Sequence, residues 1–201
     1  GDSQLLGIDD VRGLSNWFHS LHAARLDGKG VCEVAAALLT APPAAGKTTL
    51  ISQTVVLALE RSELVPIVIK VQLLQVRLRE AQHDEFTSTS NWVDAYLKFV
   101  HAGQPVLYRM LRQAMMARRA LLLIDGLDEG GTNRTEIERH IVEVLAQQGH
   151  VMLCTSRPAG VDGMRFSSFQ RLQLALLSDE QQHEALTQRL GAAGVEALMP
   201  F

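Results

Sequence analysis

Cysteine is scarce in this chain: Cys32 and Cys154 are the only two in 201 residues. Two thiols cannot complete a four-ligand metal site. Each lies in an apolar, strand-like run, so both are expected as buried, reduced thiols rather than as a disulfide. That usage suits a reducing, cytoplasmic setting. Aromatic residues make up 5% of the chain and are not interleaved with basic ones, so the stacking platforms of a single-strand nucleic-acid binder are missing. Trp17, Phe18 and Trp92 are accordingly expected as packing residues. Positive charge is not in excess either. The formal net charge is −3 at pH 7, and the basic pairs at Arg77–Arg79 and Arg118–Arg119 are short enough to be solvated faces, so no nucleic-acid partner is expected. No apolar run approaches the ~20 residues that span a bilayer. The opening GDSQLLGIDD also lacks the basic and apolar regions of a secretion signal, so no membrane partner is expected. Because the chain starts at Gly1 rather than methionine, it is expected to be a piece of something longer.

What is present is a core-forming composition, 47% hydrophobic and 20% charged, which suits an α/β domain with a sizeable interior. Apolar runs suited to buried parallel strands alternate with amphipathic stretches at helical spacing, the pattern of a doubly wound or P-loop sheet. Strands are expected at Val31–Leu39, Val65–Leu74, Leu121–Asp125, Val151–Thr155 and Arg171–Leu176. Helices are expected at Leu14–Leu26, Lys47–Arg61, Trp92–His101, Pro105–Arg118, Thr135–Gln148 and Ser178–Leu190, with a polar loop over His83–Asn91. In the second helix Leu50, Val55, Leu57 and Leu59 are the residues available for burial. Pro105 suits the first turn of its helix, Thr135 with Glu138 offers a capping box, Gly149 a C-terminal stop, and Ser178-Asp179-Glu180 an acidic first turn. There is no internal repeat, low-complexity tract or clear linker.

Three segments carry chemistry. The first is Ala41–Thr48, APPAAGKT, which fits G-x-x-x-x-G-K-[ST] except at its first position and joins an apolar run to a helical one. Such a loop surrounds an anion with backbone N–H groups and the positive end of a helix. Ala44, Ala45, Gly46 and Thr49 would supply the N–H groups, Lys47 a charge at the terminal phosphates, and Thr48 a hydroxyl for Mg2+. Ala41 and Ala44 stand where glycine is usual, and glycine is favoured there because it accepts positive φ and lets a phosphate approach closely. The bland alternative is a helix N-terminus that happens to carry Gly-Lys-Thr. The second segment, Leu121–Glu129, reads LLLIDGLDE. Asp125 follows four apolar residues, so its carboxylate would emerge at the carboxyl end of a parallel strand beside the loop, as a Mg2+ ligand. Asp128 or Glu129 would then orient or deprotonate a water; the alternative is an ordinary acidic turn. In the third, Val151–Pro158 (VMLCTSRP), Arg157 is placed to hold a γ-phosphate, and Thr155 or Ser156 to bond the attacking water or the phosphate. Its alternative is a turn in which Arg157 pairs with a surface acid.

In this order, APPAAGKTTL, LLLIDGLDE and MLCTSRP resemble the NACHT family of STAND-class P-loop NTPases over about residues 31–177. The D-G-L-D-E spacing is the most specific of the three. The resemblance implies an α/β three-layer sandwich whose central parallel sheet has about five strands, of the additional-strand type: the strand ending in Asp125 is separated from the phosphate-loop strand by the strand ending near Arg157. It also implies a nucleotide-operated switch that exchanges diphosphate for triphosphate, opens and self-associates in the full-length parent. Lys47 and Thr48 match the loop pair, Asp125 the Mg2+ acid, Glu129 the catalytic base with Asp128 supporting it, and Arg157 the sensor arginine. The division that follows is a lead-in helix in 1–30, a nucleotide-binding core in 31–177 and the start of a helical segment in 178–201.

The leading expectation is binding of a nucleoside triphosphate, ATP ahead of GTP, with Mg2+ and slow hydrolysis. The alternatives are a nucleotide-binding scaffold with little turnover and, further off, a small-molecule or nucleotide kinase, for which no arginine-rich lid is visible between Thr155 and Leu190. His19 and His22 share a helix face without a further ligand nearby and are expected as a solvated or packed pair. Met110, Met115 and Met116 are expected to pack.

Overall fold

A computed structural model describes residues 8, 10–27, 34–80, 86, 89–175 and 178–198; Cys32 and most of the expected loop at His83–Asn91 lie outside them. The elements run α1 (Val11–Leu26), β1 (Ala36–Thr40), α2 (Lys47–Arg61), β2 (Val65–Lys70), α3 (Val71–Glu80), α4 (Trp92–Val100), α5 (Pro105–Met116), β3 (Ala120–Asp125), α6 (Arg134–His140), β4 (Val151–Ser156), β5 (Gln170–Gln173) and α7 (Asp179–Leu198). The sheet has five strands in the order β2-β3-β4-β1-β5, and every pairing is parallel. β4 therefore lies between β1 and β3, the additional-strand arrangement expected from the sequence.

The central strands are apolar on both faces because helices cover both, as a parallel sheet requires. One layer packs Leu38, Leu122, Ile124, Met152 and Cys154 under Leu74, Leu97, Met115, Ile137 and Ile141. The other packs Leu39, Leu121, Leu123, Val151 and Leu153 under Leu14 and Phe18 of α1 and Ile51 and Ala58 of α2. Neighbouring residues on one strand thus face opposite layers, the period of two that a pleated backbone imposes. The result is a three-layer α/β sandwich. Cys154 is a buried free thiol, and burial raises its pKa.

Several boundaries differ from expectation. The apolar run at Val65–Leu74 splits: β2 ends at Lys70 and α3 begins at Val71. Val71 and Leu74, three apart, are buried on one side of that helix. In α2 the buried residues are Ile51, Thr54 and Ala58, whereas Leu59 is 63% exposed and Leu50, Val55 and Leu57 are half-buried. The helix is rotated so that small Ala58 and the Thr54 hydroxyl, which donates to the Leu50 carbonyl at 2.8 Å, meet the sheet. The capping box at Thr135 is absent. α6 starts one residue earlier without a side-chain cap, and Glu138 is instead buried between Arg134 and Arg165 at 3.7 and 3.8 Å. α6 continues as a π-helical turn over Ile141–Leu145, and Gly149 closes it at φ +80°. Met115 packs, but Met110 and Met116 are exposed. His19 and His22 are buried, with His19 Nδ1 2.8 Å from Glu63. Among the described residues no group of His, Cys, Asp and Glu could hold a metal ion by itself, and no helix is long and apolar enough to cross a membrane.

Candidate nucleotide site

β1, β3 and β4 end side by side, and their registers decide what meets at the carboxyl edge. Thr40 pairs with Ser156, and Ile124 with Cys154, so Asp125 and Thr155 come next along neighbouring strands. An open cleft of about 360 Å³ lies over this edge. Ala44, Ala45, Gly46, Lys47, Thr48, Thr49, Asp125, Asp128, Glu129 and Arg157, the residues singled out from the sequence, all line it. Its volume is in the range of small-molecule sites.

On the loop side, Ala41 is buried and donates its N–H to the Ser156 carbonyl at 3.2 Å, which fastens the loop to β4. The turn then needs left-handed backbone twice, at Ala44 (φ +60°) and Gly46 (φ +92°). Glycine meets the second demand freely, whereas Ala44 carries a Cβ in a region that L-residues disfavour. Lys47 donates from Nζ to the Ala41 and Pro42 carbonyls, both at 2.9 Å, so its ammonium bends back over the loop in front of α2. Thr48 follows on the first turn of α2, and its hydroxyl donates to Asp125 Oδ2 at 3.3 Å.

On the strand side the contacts are tighter. Thr155 is fully buried; its hydroxyl donates to Asp125 Oδ1 at 2.7 Å and accepts the Gly126 N–H at 3.0 Å. Gly126, at φ +81°, turns the chain out of β3 into a short 3-10 turn over Leu127–Glu129. Asp128 accepts the Arg157 backbone N–H at Oδ1 (3.1 Å) and pairs through Oδ2 with Arg157 Nε at 3.0 Å. Glu129 is exposed, and its side chain has no partner among the described residues.

Thr155 and Ser156 do not reach the cleft. Both are buried, the Thr155 hydroxyl is committed to Asp125 and Gly126, and the Ser156 hydroxyl finds no partner. Sequence reasoning missed this positioning role, because only the adjacency of β3 and β4 shows which acid Thr155 can reach. Arg157 does face the cleft, and the acid it pairs with is Asp128 itself. The donor set suits a hard divalent cation: Asp125 Oδ1 is held by Thr155, leaving Oδ2 beside the Thr48 hydroxyl as a pair of oxygen donors at the cleft floor.

No protein-family model and no curated protein matches the chain. Solved structures do. The AAA domain of FIGL-1 in complex with ADP superposes at TM-score 0.57, with 16% identity over 94% of this chain and 59% of that one. A katanin structure described for its self-assembly gives 0.54, with 14% identity over 92% of this chain and 57% of that one. The E. coli MS115-1 HORMA:CdnC:Trip13 complex gives 0.54, with 19% identity over 96% and 73% respectively. The chain thus spans little more than half the length of the first two. At this identity the likeness is one of fold, and the fold is the three-layer P-loop NTPase sandwich that AAA-type ATPase domains carry.

Proposed function

We propose that this chain is a NACHT-type nucleotide-binding module that binds ATP, ahead of GTP, with Mg2+ and hydrolyses it slowly to reset a signalling switch. The observation that carries this reading is the meeting of Thr48 and Asp125: two motifs 77 residues apart come within 3.3 Å at the floor of a single cleft. In this reading the N–H groups of Ala44, Ala45, Gly46, Thr48 and Thr49 surround the phosphates at the positive end of α2. Lys47 exchanges its two carbonyl partners for phosphate oxygens. Thr48 and Asp125 would hold Mg2+, which when bound supplies charge neutralisation across the β- and γ-phosphates. Glu129 orients the attacking water and accepts its proton. The new oxygen–phosphorus bond forms as the β–γ bridge breaks, and Arg157 stabilises charge on the leaving phosphoryl group. The nucleotide-binding core is assigned to 31–177, with 1–30 as lead-in and 178–201 as the start of a further helical segment. Self-association belongs to the longer parent, in a cytoplasmic setting that accords with a free thiol at Cys154.

The test is calorimetric titration of the purified chain with ATP, ADP and GTP with and without Mg2+, alongside Lys47→Ala. Binding that is Mg2+-dependent for ATP and lost in the variant is expected; unchanged binding in Lys47→Ala would sink the reading. A second reading, a nucleotide-binding scaffold without useful turnover, is favoured by one feature: nothing holds the Glu129 carboxylate in place. If Glu129→Gln leaves an already negligible turnover unaltered while binding persists, the scaffold is the better description.

A further inference from the structure

The third turn of the cleft wall contains an ion pair that does more than neutralise two charges. Asp128 meets Arg157 twice, at the backbone N–H (3.1 Å) and at Nε (3.0 Å), so both carboxylate oxygens are engaged by one residue. Its side chain is 12% exposed against 54% for Arg157. Among the described residues, the terminal guanidinium nitrogens of Arg157 have no hydrogen-bond partner, although the residue lines the cleft. A guanidinium gripped by its inner nitrogen and its own main chain keeps its outer, two-pronged edge available for planar bidentate recognition of an oxyanion. The fold makes room for this grip at Gly160. A Cβ there would come within 2.3 Å of the Asp128 Cβ, so the 3-10 turn Pro158–Gly160 can lie against Asp128 only with glycine at that position.

We propose that Asp128 is a positioning residue: it orients Arg157 so that the cleft distinguishes a nucleoside triphosphate from a diphosphate, while the water-activating role falls to Glu129 alone. This rests on the nucleotide-binding reading above. The physical argument is one of availability. A general base needs a free oxygen within hydrogen-bond reach of the water; both oxygens of Asp128 are taken, whereas Glu129 is exposed and unengaged. Arginine positioned in advance loses less side-chain freedom on meeting the γ-phosphate, so its contribution appears as preference for the nucleotide that carries one.

The experiment measures the dissociation constants of ADP and of a non-hydrolysable ATP analogue, both with Mg2+, for the wild-type chain, Asp128→Asn, Arg157→Ala, the double variant and Gly160→Ala. Arg157→Ala is expected to weaken the analogue by about tenfold, the scale of one charge-assisted hydrogen-bond pair, and ADP by less than twofold. Asp128→Asn should show the same selective loss, and the double variant no more than either single one, since both act on one interaction. Gly160→Ala leaves both charged groups in place but displaces Asp128, and should reproduce the selective loss. A merely structural role would lower ADP and analogue binding together, along with the melting temperature. Losses that add in the double variant, or an unchanged preference in Asp128→Asn, would overturn the proposal with nucleotide binding itself intact. Absence of ADP binding by the wild-type chain would instead overturn the underlying reading, and this inference with it.

Discussion

The two walls of the cleft are built differently. The phosphate-loop wall is backbone: Ala41 is tied to β4, Lys47 folds onto carbonyls of its own loop, and Ala44 sits in left-handed conformation without glycine's freedom. The wall at the ends of β3 and β4 is a side-chain network, in which Thr155 holds Asp125 and Gly126 and Asp128 holds Arg157. A backbone wall can close around an anion by small rotations. A network of buried hydroxyl and carboxylate groups is set in advance, and removing a member leaves its partners unpaired, which costs more than the bond itself. The metal and sensor wall is thus preorganised in a sense that the phosphate wall is not.

The comparison can be broken first at Lys47. On the proposed reading, Lys47→Ala removes the one cation of the loop wall, and nucleotide affinity is expected to fall on the order of 100-fold, with the melting temperature nearly unchanged because no buried partner is stranded. Calorimetry and a thermal melt together check this. At the other wall the balance reverses. Thr155→Val keeps the volume but leaves the Gly126 N–H unsatisfied and Asp125 unanchored, an expected loss of about 1–3 kcal/mol of stability. For a chain of this size that lowers the melting temperature by roughly 2–4 °C per kcal/mol. Equal stability in Thr155→Val would mean that the network is not set in advance.

A third test separates the cleft from the rest of the fold by pH. His140 and His150 are held neutral by burial, which lowers both pKa values to about 4; Arg118 and Arg25 add to the effect at His150. The unfolded chain takes up these protons below about 6.5 while the folded one does not. Their contribution is therefore complete above pH 6.5 and is lost as pH falls from there toward 4. Glu138 works in the opposite sense. Burial raises its pKa despite Arg134 and Arg165, so the folded chain binds its proton more readily, and stability declines as pH rises through that raised value. Denaturant titrations between pH 4 and 7 should show the histidine-linked loss, and His150→Gln should flatten it. The smallest effect is expected at Ala44. Glycine there relieves a left-handed strain of about 1 kcal/mol, partly offset by its greater freedom when unfolded. Ala44→Gly should therefore raise stability by less than ~1 kcal/mol and tighten nucleotide binding a few-fold; a weaker loop would show that the alanine is suited to its place.

Much of the site was legible beforehand because its markers are local. Apolar runs that end in Asp125 and at Ser156–Arg157 read as strand ends, and Gly46-Lys47-Thr48 at the start of an amphipathic stretch reads as a phosphate loop, so all the chosen residues lie on one cleft. What was illegible depends on neighbours. That Val71–Glu80 turns helical, that α2 buries Ala58 rather than Leu59, and that Glu138 packs between arginines rather than capping a helix all follow from which surface each element meets. Helical phase in a mixed apolar sequence is decided by the partner.

The sequence by itself determined the chemistry available at the sheet's carboxyl edge: an ammonium, a hydroxyl, three carboxylates and a guanidinium, each at the end of an element set by local hydrophobic pattern. Only the tertiary structure decided how they pair. Thr155 reaches Asp125, and Asp128 reaches Arg157, across about thirty residues of chain because β4 lies in register beside β3. Hydrogen bonds act over about 3 Å, a distance that strand adjacency sets and that spacing along the chain does not encode.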